Sequence, residues 1–190
     1  IKSLEDEVTD YVSQLKNSAY DNVRIKDILQ MSSGASWNED YSDPNSDINR
    51  SSKIFAIGGS LDEFSASLKK ELKPGSYNRY NSTDTQVLGM LLREATRTSV
   101  TKYMEEMLWH PMGAQDSGYW ILDSKNMEMA YAGFNATARD YAKLGELYRL
   151  GGKINGKQII PSDWVKASVK PDAPHLMPGD NPLSDFPLGY

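Results

Sequence analysis

The residues of this chain best placed to do chemistry together lie in one stretch, Pro74-Gly75-Ser76-Tyr77-Asn78-Arg79-Tyr80-Asn81-Ser82-Thr83-Asp84-Thr85. If Tyr80 to Ser82 is extended, side chains two apart share a face, so Tyr80 and Ser82 point one way and Asn81 the other. A long helix is expected to begin directly after them. The partial positive charge of its first amides favours a nearby anion by about 0.3–1 kcal/mol. A phenol, with an ordinary pKa of about 10, becomes a proton shuttle near neutral pH only with further help from cations. No segment here obviously supplies those cations, so a partner segment would have to. On spacing alone the plainer reading, a tyrosine packed beside a helix cap, has the stronger claim.

Other arrangements are weaker. Asp43, Asn45, Asp47 and Asn49 imitate the start of a calcium loop. The loop's glycine position holds Ile48 and its closing glutamate position holds Ile54, so the stretch is a polar loop leading into a helix cap. His110 and His175 are far apart in sequence and lack companions for a zinc site. Trp37 and Tyr41 stand in a polar loop, where large aromatics can wall a substrate pocket; Trp109, Trp120 and Trp164 are expected in the core. Glu39 and Asp40 are most simply solvated loop charges.

These residues must be held by helices. Ser3–Leu15 has the apolar spacing of an amphipathic helix, with Ser3 and Asp6 resembling a capping box. A short helix is expected over Arg24–Met31, ending with Gly34 available for the left-handed position. Another runs from Ile48 to Ile57 and stops at Gly58-Gly59. Ser60 and Glu63 cap a helix to about Glu71, and Pro74-Gly75 is a turn. Thr83 and Gln86 open the most apolar helix, which should be central. A further helix spans Ser99–Leu108, and Thr137 caps one to Leu150. Gly118–Leu122 and Met129–Ala132 are strand candidates. Asn155-Gly156 predicts a tight β-hairpin over residues 153–160. A last helix runs from Pro161 and Ser162 to Val169, and residues 171–190 form an irregular, proline-rich tail.

Composition narrows the function. A chain of 190 residues with 39% hydrophobic and 25% charged residues can build an ordinary globular core. Its formal net charge is −5 and its basic residues form no stripe, the tightest run being Lys69-Lys70 with Lys73 nearby. No nucleic-acid partner is therefore expected. The absence of cysteine excludes disulfides, thiolate metal sites and cysteine nucleophiles. No apolar run approaches the roughly 20 residues of a transmembrane helix. The chain begins Ile1-Lys2 and ends Leu188-Gly189-Tyr190, which suggests an excerpt of a longer polypeptide.

Several segments, in order, resemble the β-lactamase and penicillin-binding-protein-like serine hydrolases, the group of class C β-lactamases, D-Ala-D-Ala carboxypeptidases, esterases and 6-aminohexanoate-dimer hydrolases. Pro74-Gly75 followed by Tyr80-Asn81-Ser82 is similar to the family's Tyr-x-Asn or Tyr-x-Ser motif before a long helix. Leu29–Gly34 resembles the helix end before its variable loop, and Trp37–Tyr41 the loop start of the aminohexanoate-hydrolase-like branch. Leu108–Gly113 and Gly133–Asp140 resemble later family segments.

The resemblance implies a mainly α chain, the helical lobe of a β-lactamase/transpeptidase-like fold whose parent is α+β with an antiparallel sheet. Residues 1–190 would be that single lobe, and 171–190 would lead back to the missing sheet. It implies a serine hydrolase cleaving an ester, amide or lactam through an acyl-enzyme, with no metal or organic cofactor. Tyr80 would be the proton shuttle. Ser82 would hydrogen-bond the lysine or the substrate where many relatives have asparagine, a departure that points away from a strong β-lactamase. Trp37 and Tyr41 are the substrate-pocket candidates on their place in the polar loop, against the commoner core role of large aromatics. The sequence itself does not fix a compartment; relatives are often exported, which favours a periplasmic or secreted location slightly over a cytoplasmic one.

The family's nucleophile lies in an S-x-x-K motif opening a buried helix. Ser13–Lys16, Ser67–Lys70 and Ser99–Lys102 match the string. Ser13 falls near a helix end, Ser67 within a helix, and Ser99 after the tyrosine motif. The nucleophile and the Lys/His-x-Gly strand are thus expected in the remainder of the polypeptide, and this chain alone should be inactive. Two rival readings are a non-catalytic binding or scaffold protein on the same fold and an independent helical interaction domain.

Overall fold

The computed structural model describes residues 1–177 and is mostly helical. Seven α-helices occur among them: α1 (Ile25–Leu29), α2 (Asp47–Ile57), α3 (Leu61–Ser67), α4 (Ser82–Thr96), α5 (Val100–Met104), α6 (Ala138–Arg149) and α7 (Ser162–Ser168). Two small antiparallel ribbons complete the pattern. One pairs β1 (Tyr119–Trp120) with β2 (Phe134–Asn135), Tyr119 opposite Asn135. The other is the expected hairpin of β3 (Lys153–Ile154) and β4 (Lys157–Gln158). Its Asn155 and Gly156 both have positive φ, 48° and 79°, as a type I′ turn demands.

Helix α4 is the centre. Val87, Met90 and Leu91 on α4 are buried against Val8, Leu15, Tyr20, Val23, Ile25 and Ile28. A second core gathers Trp109, Met112 and Leu147, with Phe134 and Ile160 packed on it. Phe134 meets Trp109 edge to face at 5.1 Å and Tyr141 likewise at 5.8 Å.

Several elements differ from expectation, each for a tertiary reason. Ser3–Leu15 is not one helix but two 3-10 turns, Val8–Asp10 and Ser13–Leu15. Its backbone bonds instead to the next segment: Val8 N–H donates to Val23 O at 2.9 Å, and Ile25 N–H to Asp6 O at 3.0 Å. Helix α1 is closed by Met31, left-handed at φ 50°, directly after its C-cap Gln30, while Gly34, also left-handed at φ 76°, lies three residues further on. Gly34 serves a close approach, since a methyl group on it would overlap the Leu72 carbonyl. Helix α3 stops at Ser67 because the following residues bond elsewhere, Leu68 O to Ala19 N–H and Lys69 O to Ser36 N–H. Helix α5 continues into a single π turn, Glu105–Trp109. The partner of β1 is Phe134–Asn135 rather than Met129–Ala132, although Leu122 and Glu128 form an isolated bridge.

Pro174–Leu176 makes one 3-10 turn, and Asp172 is tied to α1 by Lys26 at 2.6 Å and Gln30 at 2.8 Å. The remainder of the expected tail, residues 178–190, lies outside the described residues. Among the described residues no helix is long and apolar enough to cross a membrane.

Candidate active site

The site is built at the first turn of α4. Asn81 is extended, at φ −146° and ψ 106°, and its side-chain oxygen accepts Thr83 N–H at 2.8 Å. Asn81 therefore caps the helix, in place of the expected Thr83, by satisfying an amide that has no partner within the helix. Ser82 is the first helical residue. That boundary breaks the strand-like alternation between Tyr80 and Ser82. Tyr80 is 48% exposed, while Ser82 is only 3% exposed and turned inward. Among the described residues no hydrogen bond engages the Tyr80 hydroxyl, and it is not sealed in the core.

A carboxylate joins the predicted residues. Glu39, expected to be a solvated loop charge, is partly buried and accepts the Ser82 hydroxyl at 2.8 Å and the Tyr41 hydroxyl at 3.1 Å. Ser82 N–H donates to it at 3.4 Å, and the Trp37 indole N–H donates to it as well. Trp37 is 6% exposed and packs edge to face on Phe64, so most of its ring belongs to the core. Tyr41 is 70% exposed and borders a shallow cleft of about 470 Å³ with Asn49 and Lys53. The Tyr41 phenol is held above its ordinary pKa by desolvation, then by its hydrogen bond to Glu39 and that residue's charge, with Tyr80 and Tyr131 adding smaller effects. Tyr131, which the sequence does not single out, is raised first by burial and also by the charge of Glu39.

Behind this mouth lies a second polar group. Asp84 is fully buried at the third position of α4 and accepts hydroxyls from Ser33 at 2.7 Å and Tyr20 at 2.9 Å. Burial pushes its carboxyl up to about 7, although both donors pull it down. Burial and the neighbouring Asp84 push the Tyr20 phenol well up. No sequence pattern marks either contact, because the partners are 51 and 64 residues apart in the chain.

The three S-x-x-K strings do not assemble. Ser99 caps α5 by accepting Lys102 N–H, while the Lys102 ammonium faces Glu106 at 3.9 Å. Ser67 is the last residue of α3, not a mid-helix one, and donates to Phe64 O. The Lys70 ammonium donates to Asp21 O. Ser13 opens a 3-10 turn, not a buried helix. Among the described residues no hydrogen bond joins the serine and lysine of any of the three. A cleft of about 280 Å³ between Trp109, Trp120 and Phe134 includes neither Tyr80 nor Ser82 in its lining.

The chain belongs to the beta-lactamase family, whose sequence profile matches residues 2–190. It is 28% identical over 189 residues to 6-aminohexanoate-dimer hydrolase of Paenarthrobacter ureafaciens, covering 96% of this chain and 48% of that protein. Its fold is similar to that of a Bacillus anthracis protein assigned as a 6-aminohexanoate-dimer hydrolase, with TM-score 0.77 and 26% identity over 87% of this chain and 46% of that one. A penicillin-binding protein homologue from Caulobacter crescentus shares the fold, with TM-score 0.66 and 17% identity over 99% of this chain and 57% of its own. The chain spans about half the length of the relatives it matches.

Proposed function

We propose that this chain is the helical lobe of a serine hydrolase that cleaves an ester, amide or lactam, and that Tyr80 is its proton shuttle. The observation that carries the reading is the Tyr80 phenol itself: half exposed, free of hydrogen bonds among the described residues, and set at the amino end of the central helix. The serine and lysine of the nucleophile pair, and the Lys/His-x-Gly strand, come from the remainder of the polypeptide. The serine oxygen attacks the carbonyl carbon while its proton passes to the lysine–tyrosine pair. That pair returns a proton to the departing alcohol or amine as the bond breaks. Water then attacks the acyl-enzyme, releasing the acid and restoring the serine. The two relatives named for 6-aminohexanoate dimers favour a linear amide among the three bond types.

Tyr80→Phe in the intact enzyme keeps the ring and removes the transferable proton. It should depress turnover at least about a hundredfold, the scale of a lost acid–base group. Unchanged steady-state kinetics in that variant would refute the assignment.

A further inference from the structure

The loop holding Trp37 and Tyr41 is irregular and polar. Many of its hydrogen bonds are internal, such as Ser42 and Asn45 N–H to the carboxylates of Asp40 and Asp43. Among the described residues, the hydrogen bonds that join this loop to α4 are both made by Glu39, from the Ser82 hydroxyl and the Ser82 amide. The same carboxylate holds the side chains of Trp37 and Tyr41. An ionised carboxylate only accepts hydrogen bonds, and a hydroxyl has one proton to give and lone pairs to receive with. The Ser82 proton is committed to Glu39, so what its oxygen can still do is accept.

We propose that Glu39 is a positioning residue for this site: it fastens the aromatic loop to the first turn of α4 and fixes the Ser82 hydroxyl, two residues from Tyr80 in the chain, as an acceptor. An acceptor is what an ammonium group requires of a neighbour, since it has three protons to donate and nothing to receive with. This rests on the hydrolase reading above.

The test uses the intact enzyme and a chromogenic ester. Glu39→Gln keeps one accepting oxygen and sets an amide N–H₂ against donors on the other side, so either the two hydroxyls or the Trp37 and Ser82 N–H groups lose their acceptor. The variant should lose about tenfold or more in kcat/KM, the scale of a charge-assisted hydrogen bond. The Trp37 indole N–H resonance, assigned by its loss in Trp37→Phe, should move in Glu39→Gln. A merely local structural role would let the effects of Glu39→Gln and Ser82→Ala multiply. A shared role predicts that the double variant is no worse than the poorer single one. If Glu39→Gln fails to fold, Glu39→Asp, with its charge kept and its reach one methylene shorter, carries the same comparison. A folded variant with kcat/KM within about twofold of the parent, or with effects that multiply fully, would overturn the proposal. Tyr80→Phe separates the two readings. If that variant is impaired while those at Glu39 are silent, only the role of Glu39 falls. If it is unimpaired, the hydrolase reading falls and takes this one with it.

Discussion

Asp84 shows how much a single residue can conceal. In sequence it is one acidic residue in the first turn of a helix, where a solvated carboxylate is the usual expectation. In the fold it is sealed beneath Ser33 and Tyr20, and burial raises its carboxyl from 3.8 to about 7. Between those two values the folded state keeps a proton that the unfolded chain has released. Stability contributed by that proton is complete below about pH 4 and is lost as pH rises towards about 7. Asp84→Asn retains an oxygen that can accept both hydroxyls and cannot ionise. It should flatten the fall in stability across this window. Its amide nitrogen would replace an oxygen that has no partner among the described residues, so it should be less stable than the parent near pH 4 and gain on it by about 1–3 kcal/mol towards pH 8. Urea midpoints at the two ends of the window decide the matter, and an unchanged pH dependence would count against it.

The elements were most legible where their ends are capped. Ser46, Ser60, Ser99 and Thr137 each accept the backbone N–H three residues on, and the helices they open begin close to where the sequence places them. Asn81 does the same work for α4 two residues on. Asn81→Ala should cost about 1 kcal/mol, read as a lower urea midpoint with unchanged slope. Because Asn81 separates Tyr80 from Ser82, fraying there should also raise KM before it lowers stability appreciably. An unaltered midpoint would show that the cap is redundant. A local mark was not always enough: Ser3 N–H does donate to the Asp6 carboxylate at 3.0 Å, but no α-helix follows. The apolar spacing of Ser3–Leu15 fits a helix, yet its amides and carbonyls pair with residues 23–26. Asp140 is a similar case. Besides its place in the α6 cap, it accepts from the Lys143 ammonium, first in effect, and from the amides of Gln115 and Asp116, which together hold its carboxyl well below the usual range. It thereby clamps the loop before β1 to α6.

At the scale of the whole molecule, the fold is the mainly helical lobe of a β-lactamase-like protein, and its large exposed apolar side chains include Ile57, Tyr119 and Val169. If the nucleophile lies elsewhere in the polypeptide, pure residues 1–190 should not hydrolyse a chromogenic ester, and co-expression with the remaining segments should restore hydrolysis. Activity in the chain alone would reassign the nucleophile to one of its own serines. The sequence by itself was enough for the helical class, the hairpin at residues 153–160, the position of Tyr80 before the central helix, and the family. The first three follow from caps, turns and apolar periods, which are interactions over a few residues; the family rests on the resemblance of several short segments in order. Only the tertiary structure decided that Ser82 turns inward, that Glu39 gathers Trp37, Tyr41 and Ser82, and that Asp84 is buried. The contacts of Ser82 and Asp84 depend on partners 43 to 64 residues apart, whose meeting is set by packing of the whole core and leaves no local trace. Trp37 and Tyr41 lie two residues either side of Glu39, yet only the fold shows its carboxylate turned to them.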